Sequence, residues 1–211
     1  MLKTYLFKES PDLVLICLFI LIIYHKNNII KLFTLIILML LILFYRVPNK
    51  PSNFISNSNM LYSPAYGTIM NIENIKNNIK ISIFLSLFDP HIQYIPYDGV
   101  IINQQIEEGN YFFANNLQKS NNNVKLITNM KTSQGLITIT QITGFFVRRL
   151  VSWVNKGDNK KVGDELGMIK FGSRVDIEFP NTFVLNPLIK IGKKVRGINT
   201  ILAKKNNIIN G

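Results

Sequence analysis

The 211-residue sequence predicts a mainly β domain, sandwich-like or barrel-like, preceded by an N-terminal hydrophobic helical hairpin. Three observations predict it. Two apolar runs fill the first 46 residues, several stretches from residue 80 onward alternate apolar and polar side chains, and turn residues rather than long amphipathic helices separate those stretches. The division that follows is a hairpin over 1–46, a linker over 47–59 and a β-rich domain over 60–211.

Leu13 to Tyr24 is an unbroken apolar or aromatic run. His25-Lys26-Asn27-Asn28 interrupts it, and Ile29 to Tyr45 resumes it with only Lys31 and Thr34 as polar members. As helices, the first run (extended back to Pro11) and the second would measure about 21 and about 25 Å, against roughly 30 Å of hydrocarbon. Both lengths and the polar turn fit a hairpin that crosses a thin membrane or dips in from one face. A signal peptide or a buried core hairpin is the weaker reading, because no small-residue cleavage site follows and little chain remains to surround two such helices. Lys3, Lys8, Arg46 and Lys50 flank the outer ends, so both ends and the following domain are expected on the cytoplasmic face of a membrane.

Pro48, Pro51 and serines among asparagines mark the linker. In Lys80 to Leu87, Ile81, Ile83, Leu85 and Leu87 fall on one face with Ser82 and Ser86 on the other, which predicts a half-buried strand. Leu136 to Ile142 repeats the period, and Gly99 to Asn103 and Arg174 to Phe179 are shorter candidates. Asn115 to Asn129 is polar and Asn-rich and is expected to be a surface loop or weakly ordered. The tail from Lys193 reads as a solvated basic edge that could also meet anionic headgroups.

Composition narrows the chemistry. A single cysteine, Cys17, excludes a disulfide framework and a cysteine-based zinc site, and two histidines, His25 and His91, leave little for a histidine-rich metal site; no metal is expected. Residues 1–118 carry 8 Lys/Arg against 7 Asp/Glu, whereas 119–211 carry 16 against 5, so nearly all of the +12 charge lies in the second part. Such a skew points to an anionic partner, membrane lipid or nucleic acid. Nothing but charge supports nucleic acid, since no interleaved aromatic stacking platform is present, and none is expected as a partner.

Four blocks of residues go further. Gly167-Met168-Ile169-Lys170-Phe171-Gly172-Ser173-Arg174-Val175-Asp176 resembles the self-cleavage segment of the phosphatidylserine decarboxylases, pyruvoyl-dependent lyases that make phosphatidylethanolamine. Ser63-Pro64-Ala65-Tyr66-Gly67 is similar to that family's Ser-Pro-Ala-Asp-Gly, and Phe88-Asp89-Pro90-His91 through Pro96 to its Phe-Asp-Val-His-Val-Asn-Arg-x-Pro. Gly144-Phe145-Phe146-Val147-Arg148-Arg149-Leu150 resembles its Gly-x-x-Ala-Arg-Arg-Ile segment. The blocks keep the family order. With Phe44-Tyr45-Arg46-Val47-Pro48 and the hydrophobic hairpin, they match the short, membrane-anchored members over almost the whole chain.

The resemblance implies a zymogen that cleaves itself between Gly172 and Ser173, leaving chains 1–172 and 173–211 associated as a heterodimer. Gly172 lacks a Cβ, so a strained turn can hold its carbonyl within reach of the Ser173 hydroxyl. The attack makes an ester, elimination cuts the chain, and the resulting N-terminus hydrolyses to a covalent pyruvoyl group, the one cofactor expected. That ketone condenses with the amine of phosphatidylserine and takes up the electrons freed as carbon dioxide leaves. His91, whose unperturbed pKa near 6.5 suits proton transfer at neutral pH, is the implied acid–base. Arg148 and Arg149 offer charge for the lipid phosphate or carboxylate, and two neighbours on one strand face opposite ways, so only one is expected to reach the site.

Three of the departures from the pattern change the chemistry. Tyr66 stands where the family has aspartate, and a phenol with pKa near 10 is no substitute base at pH 7. Gln93 and Tyr94 stand where it has Asn-Arg. Asp89 and Asp98 are the neighbouring carboxylates that could stand in for the missing acid. The alternative to an active decarboxylase is therefore a catalytically inactive, membrane-bound relative acting as a lipid-binding or scaffolding module. Whether the protein forms a higher oligomer stays open.

Overall fold

The computed structural model describes residues 3–49, 57–145, 149–170 and 173–206. The chain forms two compact units, Met1–Asn49 and Lys50–Gly211.

In the first unit β1 (Lys3–Thr4) pairs antiparallel with β2 (Arg46–Val47), and between them lie α1 (Leu6–Glu9), α2 (Pro11–Ile23) and α3 (Asn28–Phe44). Pro11 opens α2, where its missing N–H costs nothing, and the Asn27 side chain accepts from the Ile29 and Ile30 amides to cap α3. Ser10 Oγ and Tyr45 Oη are hydrogen-bonded at 2.5 Å across the two ends of the unit. Leu15, Phe19 and Ile22 on α2 and Ile29, Leu32 and Phe33 on α3 are exposed. The polar break at His25–Asn27, closed by the Asn27 cap, limits the helices to 13 and 17 residues. No helix among the described residues is long and apolar enough to cross a membrane, so the expected transmembrane helix is not supported.

The second unit is mainly β. Its strands are β3 (Met60–Tyr62), β4 (Gly67–Ile75), β5 (Asn78–Leu85), β6 (Ile92–Tyr94), β7 (Gly99–Glu107), β8 (Lys125–Thr132), β9 (Gly135–Ile142), β10 (Leu150–Ser152), β11 (Asn159–Lys160), β12 (Glu165–Ile169), β13 (Ser173–Pro180), β14 (Phe183–Leu185), β15 (Lys194–Val195) and β16 (Ile201–Lys205), with a single helical turn, α4 (Leu117–Ser120). An antiparallel, curled eight-stranded sheet runs β11-β7-β8-β9-β13-β5-β4-β15, beside three-stranded sheets β10-β12-β6 and β14-β16-β3. Residues of alternating register, Ile81, Ile83 and Leu85 on β5, Ile137 and Ile139 on β9, and Val175, Ile177 and Phe179 on β13, form one side of the core. Ile95, Leu166, Ile169, Phe183 and Leu202 belong to the same cluster.

Several expectations change. β5 is covered on both faces rather than one, since Ser82 is as buried as its apolar neighbours. The Asn-rich stretch contains α4 and the first half of β8, which pairs with β7 and β9 along its whole length. β7 continues past Asn103 to Glu107, because a register shift between Ile101 and Asn103 breaks the alternation without ending the strand. The basic tail supplies β15 and β16, with Leu202 and Ala203 in the core. Of the expected linker, Val47 belongs to β2 and residues 50–56 lie outside the described residues.

Candidate active site

Register alone brings the four sequence blocks to one end of the large sheet. Ser173 opens β13 and pairs with Leu85, the last residue of β5, so the Phe88–His91 segment leaves the sheet beside it. Arg174 pairs with Ile142 at the end of β9, from which Gly144 and Phe145 continue, and with Phe84, which also pairs with Thr68 at the start of β4, next to Tyr66 and Gly67. Gly67 is required there: its φ is +153°, and a Cβ would lie 2.2 Å from the Phe84 carbonyl oxygen.

The segment expected to be cleaved is a crossover between sheets. β12 lies in the small sheet against β6, while β13 begins in the large one, and only residues 170–172 join them. Phe171 and Gly172 lie outside the described residues. Ser173 is fully buried, and its Oγ has no hydrogen-bond partner among the described residues. An unpaired buried hydroxyl costs about 1–3 kcal/mol, and such exceptions in folded proteins call for an explanation.

His91 is buried on the β5–β6 connection and fastened next to β12, since its carbonyl accepts from the Ile169 amide at 3.2 Å. Its Nδ1 lies 2.7 Å from the Asp89 carbonyl oxygen. A carbonyl only accepts, so Nδ1 carries the proton and Nε2 holds the lone pair of the neutral ring. Gln93 Nε2 donates to the His91 carbonyl at 2.6 Å, and Gln141 Nε2 donates to Gln93 Oε1 at 2.8 Å. Gln141, on β9, occupies the core-facing register of Ile137 and Ile139, and alternation puts Ser173 on that same face. A buried amide relay therefore ties the backbone of His91 to the strand beside Ser173's own. The sequence reading missed Gln141, although a glutamine on the apolar face of a strand was a visible signal.

Arg174 was missed as well. Its guanidinium, on the opposite face from Ser173, is buried; Nη1 donates to the Leu117 carbonyl (3.1 Å) and Ser120 Oγ (2.8 Å), and Nη2 to Asn121 Oδ1 (2.6 Å) and Asp176 Oδ2 (2.9 Å). Nε also lies 2.8 Å from Asp176 Oδ1, an ion-pair contact outside hydrogen-bond angles, and Lys80 approaches Asp176 at 3.4 Å.

The remaining expectations place as follows. Arg148 lies outside the described residues. Arg149 is exposed and precedes β10 rather than sitting on a strand, so opposite-face reasoning does not apply to it; its carbonyl accepts from the Lys170 amide at 3.4 Å, beside the cleavage segment. Tyr66 is buried edge-on to Tyr94, ring centroids 6.4 Å apart. Both rings close on Gly197, where a Cβ would come within 2.8 Å of Tyr66 and 3.0 Å of Tyr94. Two of the departures from the family pattern thus pack against each other. The neighbouring carboxylates are engaged locally. Asp89 Oδ2 accepts from Ser86 N and Oγ, at 2.9 and 2.6 Å, whereas Asp98 accepts from the Val162 amide at 2.7 Å and faces Lys161 at 3.5 Å.

The chain is similar to known proteins. The profile of the phosphatidylserine decarboxylase family matches residues 40–203. A protein of Methanococcoides burtonii, provisionally named an archaetidylserine decarboxylase proenzyme, is 32% identical over 78% of this chain and 74% of its own length. Phosphatidylserine decarboxylase proenzymes of Prosthecochloris aestuarii and Carboxydothermus hydrogenoformans are 30% and 31% identical, over 83% and 80% of this chain and 82% and 81% of theirs. The chain belongs to the phosphatidylserine decarboxylase family, a family of carboxy-lyases.

Proposed function

We propose that the protein is a proenzyme that cleaves itself between Gly172 and Ser173 and then decarboxylates phosphatidylserine to phosphatidylethanolamine and carbon dioxide. The observation that carries this reading is the buried Ser173 hydroxyl, without a hydrogen-bond partner among the described residues, at the crossover between two sheets. Ser173 Oγ gives up its proton and attacks the Gly172 carbonyl carbon, and the amide becomes an ester. Loss of the Ser173 Cα proton expels the Gly172 carboxylate and ends the large chain at residue 172. Water then replaces the nitrogen of the remaining dehydroalanine, which leaves as ammonia. A ketone of this kind supplies the electron sink for decarboxylation when the substrate amine is bound to it.

The chain's own residues do the rest. His91, with Nδ1–H held by the Asp89 carbonyl, presents Nε2 for proton transfer, first in cleavage and then in returning a proton to the substrate carbon. Arg149, exposed beside the cleavage segment, is positioned for an anionic headgroup. The two chains stay associated, because β13 is paired on both sides, with β5 and β9, and β16 is inserted between β14 and β3. The exposed apolar faces of α2 and α3 support a hairpin that dips into a membrane, with the catalytic unit on the cytoplasmic face, where the flanking basic residues favour it.

Purified full-length protein, presented with vesicles containing phosphatidylserine, should release carbon dioxide and form phosphatidylethanolamine. Hydroxylamine, which captures ketones, should stop it. Retention of lipid binding without carbon dioxide release would instead favour the inactive lipid-binding relative.

A further inference from the structure

Two buried glutamines stand behind His91, and chemistry fixes the direction of their hydrogen bonds. The His91 carbonyl can only accept, so the nitrogen end of Gln93 meets it, at 2.6 Å. That leaves Gln93 Oε1 to accept from Gln141 Nε2, at 2.8 Å. Both side chains are fully buried, and Gln141 Oε1 ends the series with no hydrogen-bond partner among the described residues.

Packing does not explain the pair. From Ile79 to Leu85 on β5, Ile137 to Gln141 on β9 and Ser173 to Phe179 on β13, the inward positions are apolar except at Gln141 and Ser173. A leucine would fill that face without burying an amide oxygen that lacks a donor, a defect that lowers stability. Replacing both glutamines would strand nothing, because the His91 carbonyl keeps the Ile169 amide at 3.2 Å. Stability alone therefore favours an apolar pair, and the amides call for another task.

What they hold is the turn that sets the His91 ring. Nδ1–H reaches the Asp89 carbonyl, only two residues back, so that contact lasts while both ends of Asp89-Pro90-His91 are fixed. At the first end the Asp89 amide donates to the Ser86 carbonyl at 3.0 Å, and the Asp89 carboxylate accepts from Ser86 N and Oγ. At the other end the His91 carbonyl is held by the Ile169 amide and, at the shorter distance, by Gln93, whose far side is held by Gln141. With the turn released, the ring proton can move to Nε2, which takes the lone pair from the nitrogen assigned to proton transfer.

We infer that Gln141 is a positioning residue for self-cleavage: acting through Gln93, it fastens the His91 end of the turn and keeps the imidazole in the Nδ1–H form, with Nε2 as the base. The inference rests on the self-cleavage reading for the reaction it serves, but not for the state of the ring.

The test compares Gln93→Leu/Gln141→Leu, which replaces both amides together, with Gln141→Met, which keeps the length of the side chain and breaks the link to Gln93. Each is built in the full chain carrying His25→Gln, so that His91 is the single imidazole. Ring-nitrogen NMR shifts, at a pH where the ring is neutral, are read in the uncut Ser173→Ala form of each chain, and self-cleavage rates in the form that keeps Ser173. The parent should show the Nδ1–H tautomer alone. Both variants should melt near the parent, show the Nε2–H form as well, and cleave about 10²-fold more slowly, the effect of a misplacement of roughly 1 Å. A parent already mixed, the parent's tautomer in both variants, or the parent's cleavage rate in either would overturn the inference. A parent that never cleaves, while the variants' tautomers are mixed, would count against the self-cleavage reading alone. A parent that cleaves, with variants matching it in ring state and rate, would count against this inference alone.

Discussion

Ser173 and Arg174 are adjacent residues on β13 that face opposite ways and are treated in opposite ways by the fold. The serine hydroxyl is buried with no partner among the described residues, whereas the guanidinium beside it is buried with hydrogen bonds to Leu117, Ser120, Asn121 and Asp176. Both positions are enclosed, so burial alone does not distinguish them: the two terminal nitrogens of the guanidinium are hydrogen-bonded and its Nε lies in an ion pair with Asp176 Oδ1, whereas the hydroxyl has neither among the described residues. One side of the strand is bonded through a charged side chain, and the other leaves the proposed nucleophile without a hydrogen-bond partner among the described residues. A preorganised group that needs no reorganisation before reaction is the condition under which one weak nucleophile can attack its own chain.

The largest break in this contrast is Ser173→Ala. It removes the hydroxyl while keeping β13 intact, and gel electrophoresis should show a single uncut chain at every time point. A cut Ser173→Ala chain would put the reactive bond elsewhere. His91→Ala should come next, lowering turnover of processed enzyme by about 10²–10⁴-fold, the range for a lost acid–base group; unchanged kcat would remove His91 from the mechanism. Arg174→Met keeps the length of the side chain but strands Asp176 with Lys80 at 3.4 Å as its remaining cation. Urea denaturation should report a loss of about 3 kcal/mol, as for other broken buried pairs.

Tyr66→Asp sharpens the comparison from another side. It restores the family's carboxylate but takes the ring away from Tyr94 and Gly197. The melting temperature should fall, by a free energy of about 2 kcal/mol, while self-cleavage accelerates. Faster processing at unchanged stability would mean the Tyr66 ring contributes nothing to packing. The smallest effect is far from the site, in the turn before β11. The Asn155 amide and the Lys160 ammonium hold the Asp158 carboxyl below its usual range. A depressed folded-state pKa stabilises above the ordinary carboxylate range and loses that contribution as pH falls through the lowered value. Asp158→Asn should therefore melt slightly earlier at pH 7, and the difference should vanish in acid.

The same contrast separates what the sequence made legible from what it did not. β5, β9 and β13 were readable because their inward residues alternate without interruption, and the four motif blocks were readable because their residue identities are unusual. That the blocks meet at one end of the sheet follows from register, which no local pattern contains. β8 was hidden because Lys125, Asn129 and Lys131 sit on its outer positions and the run Asn121–Asn123 precedes it, although Leu126 and Met130 face inward. β7 was truncated by its register shift. Arg174 read as one more cation in a basic half; only the turn around α4, folding over the outer face of the sheet, makes it a buried clamp. Arg148 and Gly172, both named from sequence, lie outside the described residues.

The most direct test of the central claim is the intact mass of the purified full-length protein in detergent. The account predicts two chains, residues 1–172 and 173–211, with the smaller blocked at its N-terminus and reactive toward hydrazine as a ketone is. A single unmodified 211-residue chain after prolonged incubation would contradict it.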